Sequence, residues 1–166
     1  LAESNYKGLV IWSPDDPFSY GADLQAMLPT FMKGGAKAIA PEEKKLQDAM
    51  LSMRYANVPT IAAVRGMALG GGCELAIHCA KRVVAMESYI GLVEVGVGLI
   101  PGGGGLTYIA RRAAEMAAPA NADVFNFVRD GFTAAAMAKV GTSAIESGKL
   151  GYLLDSDIIV PHKDEL

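Results

Sequence analysis

The sequence predicts an α/β fold with a largely parallel sheet. Short continuous apolar runs, typical of buried strands, alternate along the chain with segments that carry helix start and stop signals. Strands that alternate with helices are joined by crossovers and therefore tend to pair in parallel. The chain has 166 residues, of which 51% are hydrophobic. That is enough apolar material for one domain with a sizeable core.

The first half of the chain is predicted to contain two strands and two helices. The apolar run 8–12 predicts a buried strand, and the Ser-Pro-Asp-Asp-Pro sequence after it predicts a loop. Residues 23–32 are expected to form a helix that a proline kinks and two following glycines end. A second helix is expected at 41–56, because it begins with proline and its apolar residues share one face. The apolar run 58–64 predicts the second strand.

The second half is predicted to continue the alternation after three consecutive glycines. Further strands are predicted at 82–86 and 157–160. A long glycine-rich stretch at 91–105 should be irregular. The helices expected in this half lie at 73–80, 107–118, 123–128 and 133–140. No internal repeat and no linker divides the sequence, so residues 1–166 are expected to form one domain.

Composition excludes several classes of function. The formal net charge is −3 and the basic residues are scattered, so neither nucleic acid nor an anionic membrane is expected as a partner. No apolar run approaches the ~18 residues of a membrane span, and no signal peptide is visible. Cys73 and Cys79 lack partners at zinc-ligand spacing and form no disulfide pattern. We interpret them as buried thiols, predict no metal site and expect a cytoplasmic protein.

Two glycine-rich segments each carry one acidic residue. Residues 68–75 contain three successive glycines followed by Glu74, and residues 91–105 contain Glu94. Three glycines after a strand let the backbone approach a ligand closely. A helix that begins there points its free N–H groups into the same space, which suits a negatively charged oxygen. The two carboxylates could therefore reach one pocket that binds such an oxygen.

Other interpretations of these two segments stay open. Glu74 could merely complement the dipole of its helix, and Glu94 could be an ordinary loop carboxylate. However, Glu94 has only apolar close neighbours in sequence, and a carboxylate in such surroundings is destabilising unless it is paired or functional. A nucleotide-binding loop fits poorly, because the glycines lack the GxGxxG spacing and no GxxxxGK[ST] occurs.

Together with the Gly-Ala-Asp segment 21–23, these loops resemble the crotonase, or enoyl-CoA hydratase/isomerase, superfamily. Its members typically show a Gly-Ala-Asp loop, then Ala-Leu-Gly-Gly-Gly-x-Glu-Leu, then a Glu-containing loop that runs into Ile-Pro-Gly-x-Gly-Gly. All three motifs occur here in that order, at 21–23, 68–75 and 91–105. Residues 91–101 look particularly like the crotonase module of bacterial multifunctional 3-hydroxyacyl-CoA dehydrogenases. The resemblance implies an α/β, crotonase-like spiral of ββα units.

The resemblance also implies roles for individual residues. Glu74 would activate the water that attacks C3, and Glu94 would exchange the proton at C2. The backbone N–H groups of Ala22 and Gly71 would form an oxyanion hole for the thioester carbonyl. Two close carboxylates share a proton, which provides one acid and one base. The other residues expected beside the substrate are Tyr20, Gly21, Asp23, Leu69, Gly70, Pro101 and Gly102.

The sequence departs from the superfamily pattern at several places. The strands usually found ahead of Gly8 and the C-terminal helical region are absent, residues 113–141 match poorly, and Val93 replaces a common proline. Since position 1 is also not Met, the sequence is interpreted as a fragment of a longer chain, truncated at both ends. No cofactor is expected in this domain, because the CoA thioester is the substrate; NAD could bind elsewhere in the parent chain. Expected partners are acyl-CoA and either further copies of the chain, as in a trimer, or other parent domains.

Hydration of a 2-enoyl-CoA in fatty-acid β-oxidation is the leading hypothesis, and both glutamates favour it. An isomerase or another enolate-forming enzyme on the same scaffold is the first alternative. A non-catalytic module that binds acyl-CoA or serves assembly is the second. An NAD-binding dehydrogenase is the third, although the sequence lacks the fingerprint. His78 and His162 are interpreted as structural or surface residues rather than catalytic ones.

Overall fold

Six strands and five helices form the protein in the computed structural model, which describes residues 5–166. The strands are β1 (Leu9–Trp12), β2 (Thr60–Val64), β3 (Met67–Leu69), β4 (Lys81–Ala85), β5 (Tyr89–Gly91) and β6 (Ile158–Val160). The helices are α1 (Leu24–Arg54), α2 (Gly71–His78), α3 (Gly105–Ala120), α4 (Val124–Ala136) and α5 (Ala144–Lys149). Short 3-10 turns cover Glu94–Val97 and Lys163–Glu165. Across residues 5–166, no helix combines the length and apolar character that crossing a membrane requires.

The strands form two parallel sheets; the alternation of elements predicted the parallel pairing, but as one sheet. One sheet has the order β1-β2-β4-β6, and the other pairs β3 with β5. After a short bend, β2 leads into β3 and β4 leads into β5, so the chain passes from the first sheet to the second twice. A helix follows each passage: α2 after β3, and α3 after β5 and the first 3-10 turn. This repeated ββα unit confirms the predicted crotonase-like spiral.

Helix α2 lies at the centre of the core. It contacts β2, β3, β4, α1 and α3, and its side chains Cys73, Ala76 and Ile77 are almost fully buried. They pack with Val64 of β2 and Val84 of β4, among other apolar residues. Because α2 is enclosed on nearly all sides, a polar side chain in its first turn is also drawn out of water. That position is occupied by Glu74.

Helix α1 joins two predicted helices across a single residue. The backbone of Gly35 has φ 59° and ψ −152°, which interrupts the helical path within Leu24–Arg54. A positive φ is readily adopted only by glycine, and here it lets the chain bend and resume the helix at once. The predicted break at the two glycines is therefore a kink, and the predicted gap before residue 41 is helical.

Several predicted bounds and elements were wrong. Strands β3 and β5 and helix α5 were not predicted, because three- to six-residue elements show too little periodicity. Helix α2 begins at Gly71, inside the glycine run, rather than at residue 73. The two short helices predicted at 123–128 and 133–140 are the single helix α4, which continues through a glycine at position 131. Packing of α4 against α3 overrides the low helix propensity of that glycine.

A buried ion pair ties the end of the chain to the centre of the sheet. The guanidinium of Arg82 on β4 donates to both carboxylate oxygens of Asp157, with Nε to Oδ2 at 2.6 Å and Nη2 to Oδ1 at 2.9 Å. Both side chains are 1% exposed. Backbone N–H groups of Arg82 and Leu154 also donate to Asp157. These bonds satisfy the carboxylate and fix β6 beside β4, a link that the sequence analysis did not anticipate.

Candidate active site

The Gly-Ala-Asp segment lies against the start of α2. Ser19 forms a parallel bridge to Ala68 on β3, and Leu69 N–H donates to the Ser19 carbonyl at 3.0 Å. Gly21, with φ 89°, then approaches so closely that a methyl group on it would lie 2.7 Å from the nitrogen of Gly71. Only glycine fits both that φ and that contact. The bridge and the close approach hold the two predicted oxyanion-hole segments side by side.

Two backbone N–H groups at this contact lack protein acceptors. Gly71 is the first residue of α2, and Ala22 directly precedes Asp23, the N-cap residue of α1. A Cβ built on Gly71 would lie 3.7 Å from the nitrogen of Ala22, so the two amides are neighbours. Within residues 5–166, neither donates a hydrogen bond to another protein group. Adjacent free amides at helix starts can bind a negatively charged oxygen.

Glu74 is a buried carboxylate held by a glycine turn. It is 2% exposed. Its Oε1 accepts from Gly105 N–H at 2.8 Å, and its Oε2 accepts from Gly103 N–H at 3.2 Å. Burial, together with the nearby carboxylates of Glu94 and Glu43, raises the pKa of Glu74 to about 7 against the opposing effect of the two N–H donors. The side chain is therefore fixed in place and can gain or lose a proton near neutral pH.

Glu94 approaches the same region from the other glycine-rich loop. It opens the 3-10 turn, and a Cβ built on Gly70 would lie 3.4 Å from Glu94 Oε1. Both carboxylate oxygens are shielded from solvent, and neither has a hydrogen-bond partner in the described part of the chain. Burial raises the pKa of Glu94, although the backbone N–H groups of Glu94 and Val93 oppose this without making well-formed bonds. A carboxyl group in this setting is stabilised in its neutral, proton-donating form.

The structure thus brings together all four residues predicted to carry the chemistry. Gly70 contacts Glu94, Gly71 contacts the Gly21-Ala22 segment, and Glu74 follows one turn later on the same helix. The charge of Glu94 raises the pKa of Glu74, so ionisation of both carboxyl groups at once is disfavoured. Two acid/base groups beside two free amides can move protons on a substrate whose oxygen becomes negatively charged.

The other predicted substrate-binding residues divide into two groups. Tyr20 is exposed, Asp23 caps α1 by accepting from Ala26 N–H at 3.0 Å, and Leu69 ends β3 next to the amides. Pro101 is buried, and Gly102 belongs to the turn that holds Glu74. Their contact with substrate stays a prediction.

Several residues around Glu74 were missed in the sequence analysis. Gly103 and Gly105 are its hydrogen-bond donors, and the run of four glycines could have signalled so close an approach. His78 Nδ1 donates to the Glu74 carbonyl at 2.7 Å, and its ring packs on Gly104. Burial lowers the pKa of His78, which favours a neutral ring with a structural role.

From α1, Glu43 and Gln47 reach the same turn; nothing in their local sequence indicates this.

One cavity lies away from the glutamates. It has a volume of about 580 Å³ and is enclosed by α3, α4 and the segment after α5. Apolar residues such as Ile109 and Phe127 share its wall with Arg112 and Asp130. None of the residues that carry the predicted chemistry lines it, so this cavity is separate from the candidate site.

Comparisons with known proteins agree with the motifs. Residues 1–141 match the family model described as enoyl-CoA hydratase/isomerase. The chain is 36% identical over 169 residues to a probable 3-hydroxyacyl-CoA dehydrogenase of Bacillus subtilis, covering 99% of the chain and 20% of that protein. It is 42% identical over 108 residues to the fatty acid oxidation complex subunit alpha of Colwellia psychrerythraea, covering 65% of the chain and 15% of that protein. The chain therefore spans a fifth or less of these relatives.

Solved structures share the fold. An enoyl-CoA hydratase from Thermoplasma volcanium superposes with a TM-score of 0.74 at 24% identity, covering 99% of the chain and 58% of that structure. An enoyl-CoA hydratase from Polaromonas sp. JS666 gives a TM-score of 0.74 at 26% identity, with 95% and 56% covered. The chain spans a little over half of each.

Proposed function

This chain belongs to the enoyl-CoA hydratase/isomerase family, and from that premise we propose that it catalyses the syn addition of water to a 2-enoyl-CoA thioester. The observation that carries the proposal is the placement of two buried carboxylates, Glu74 and Glu94, around the neighbouring free amides of Ala22 and Gly71. The relatives named for fatty acid oxidation support a role in β-oxidation. The proposed reaction needs no cofactor.

The amides would act on the thioester carbonyl. When water adds at C3, negative charge passes through the conjugated system to the carbonyl oxygen and forms an enolate. Ala22 N–H and Gly71 N–H would donate to that oxygen and stabilise it most when the charge is largest. The donors are set in advance by the Gly21–Gly71 contact, so little reorganisation accompanies the reaction.

The glutamates would move the two protons. Ionised Glu74 accepts a proton from water while the water oxygen bonds to C3, and protonated Glu94 donates its proton to C2 as the enolate collapses. Glu74 suits the base, because two N–H donors orient its carboxylate and support the charged form. Glu94 suits the acid, because burial without a hydrogen-bond partner favours its neutral form. Transfer of one proton from Glu74 to Glu94 restores the starting state.

The test is a hydration assay on the full-length protein. We expect rapid loss of 2-enoyl-CoA absorbance and formation of the 3-hydroxyacyl thioester. Product analysis with 2-enoyl and 3-enoyl thioesters separates hydration from double-bond isomerisation. Conversion of the 3-enoyl thioester without any hydration would instead assign an isomerase. Thioester binding without turnover would assign a binding module.

Removal of the Ala22 amide tests the oxyanion hole. Ala22→Pro deletes the N–H, and we expect kcat for hydration to fall about 10²- to 10³-fold, the usual effect of losing one such donor. Ala22 is exposed, so the fold should tolerate the change. Ala22→Ser keeps the N–H and should retain near-normal turnover. Equal activity in the two folded variants, measured by the absorbance assay, would exclude this amide from the reaction.

A further inference from the structure

Helix α1 contacts the glycine turn 102–105 through several side chains. The side-chain Nε2 of Gln47 donates to the Gly102 carbonyl at 2.8 Å, a partly buried bond between residues 55 positions apart. The Glu43 carboxylate packs directly on Gly102: a methyl group there would overlap Oε1 and lie 3.1 Å from Cδ. Leu46 lies 3.2 Å from where a Cβ on Gly103 would be. Three residues on one face of α1, Glu43, Leu46 and Gln47, therefore contact this turn.

The turn 102–105, which α1 contacts, also holds the Glu74 carboxylate. Gly103 N–H and Gly105 N–H donate to the two Glu74 oxygens. Gly102, which Gln47 fixes, directly precedes Gly103. A shift of Gly102 would therefore move at least one Glu74 donor, because adjacent peptide planes are covalently linked. Glu74 is the group expected to position water, so small displacements of its carboxylate affect the reaction geometry.

We propose that Gln47 and Glu43 are positioning residues for hydration, acting on Glu74 through the turn 102–105. The inference rests on the proposed function. Gln47 sets the place of the turn, and Glu43 adds a fixed negative charge behind it. The reacting groups remain Glu74 and Glu94, and neither Gln47 nor Glu43 needs to touch substrate.

The charge of Glu43 affects the pKa of Glu74. Among charged groups on neighbouring elements, Glu94 and Glu43 act on Glu74, and both raise its pKa. On α2 itself, Glu74 lies beside the buried thiol of Cys73 and one turn from His78, whose neutral ring adds no charge. Removing the Glu43 charge therefore lowers the pKa of Glu74. If Glu74 must be ionised to activate water, the low-pH limb of the activity profile moves to lower pH.

A pair of adjacent glutamates gives a matched comparison. Glu43→Gln removes the charge at the turn, whereas Glu42→Gln removes the same charge from a side chain that is 60% exposed and bonded to Lys45. In the full-length protein, we expect the low-pH limb of kcat/KM to shift downward in Glu43→Gln and to stay in place in Glu42→Gln. Equal shifts in both variants, or no shift in Glu43→Gln, would overturn the role of Glu43.

Gln47→Met tests the hydrogen bond from Gln47 to the Gly102 carbonyl without changing the charge of the protein. It keeps the side-chain length and removes the donor to Gly102. We expect kcat to fall about threefold to tenfold with KM nearly unchanged, as for one lost hydrogen bond that orients the base. Asp48→Asn, at an exposed neighbour that pairs with Lys44, serves as control and should keep its kcat.

The outcomes separate the inference from the function on which it rests. If the unaltered full-length protein hydrates no 2-enoyl thioester, the proposed function fails and the inference fails with it. If the unaltered protein hydrates normally but Gln47→Met keeps its kcat and Glu43→Gln keeps its pH profile, the inference alone is overturned. A downward shift in Glu43→Gln together with a reduced kcat in Gln47→Met supports both residues in the stated roles.

Discussion

Hydration of 2-enoyl-CoA is expected to fall about 10²- to 10⁴-fold in kcat in both Glu74→Gln and Glu94→Gln, the usual contribution of a positioned acid or base. An amide keeps the size of the carboxyl group but cannot accept or donate the proton. Because the substrate should bind mainly through its thioester and acyl parts, KM should change far less than kcat. Loss of 2-enoyl absorbance in the full-length protein measures both quantities.

One further measurement distinguishes the roles of the two glutamates, and one control variant excludes a general effect of removing a carboxylate. Glu94→Gln should lose exchange of the C2 proton with solvent, which is measurable in deuterated water. Glu87→Gln changes an exposed carboxyl group outside the candidate site and should behave like the unaltered protein. Near-normal hydration in both active-site variants would contradict the two-glutamate mechanism and leave a binding role or different enolate chemistry for this site.

Asp157→Asn is expected to lower the free energy of unfolding by about 3–5 kcal/mol, because it leaves the Arg82 charge buried and uncompensated. The pair is 1% exposed on both sides, so water cannot replace the lost carboxylate. Arg82 retains only bonds to carbonyl oxygens of Ile77 and Cys79, at 3.4 Å and 3.2 Å. Chemical denaturation at neutral pH measures the change.

The neighbouring Asp155→Asn is the matched control for this loss. Asp155 is exposed, and its substitution should change stability by less than about 0.5 kcal/mol. The double variant Arg82→Met with Asp157→Leu removes both charges and should regain most of the stability, since well-packed apolar residues often replace a buried pair without loss. A small effect of Asp157→Asn would show that β6 is held to β4 by its backbone pairing alone.

The longer elements could be predicted because their signals are local. Strand β2 lies in a continuous apolar run, β4 carries three consecutive apolar residues at its end, and α3 follows a glycine-rich stretch with a clear change of pattern. Strands β3 and β5 contain three residues each and exist because they pair with each other, across some twenty positions of sequence. Pairing of this kind leaves no periodic trace in either segment.

The candidate site could be predicted in part. Glu74, Glu94 and the glycines around them were found because close backbone approach requires glycine and because the ordered motifs resemble a known family. The supporting bonds were not found. Gly105 lies 31 positions from Glu74, Gln47 lies 55 positions from Gly102, and Arg82 lies 75 positions from Asp157. Hydrogen bonds between such distant positions depend on how the spiral closes.

By itself, the sequence determined the alternation of buried strands and helices, the family, and the acidic residues placed beside glycine-rich loops. These features depend on residue type and on spacing over a few neighbours, which the chain carries without folding. Only the tertiary structure decided that Glu74 and the carboxylate oxygens of Glu94 are shielded from water, which amides lie free beside them, and that α1 supports the turn that holds Glu74. Burial and the resulting rise in the pKa of both glutamates are properties of the packed molecule, because elements distant in sequence must meet before water is excluded.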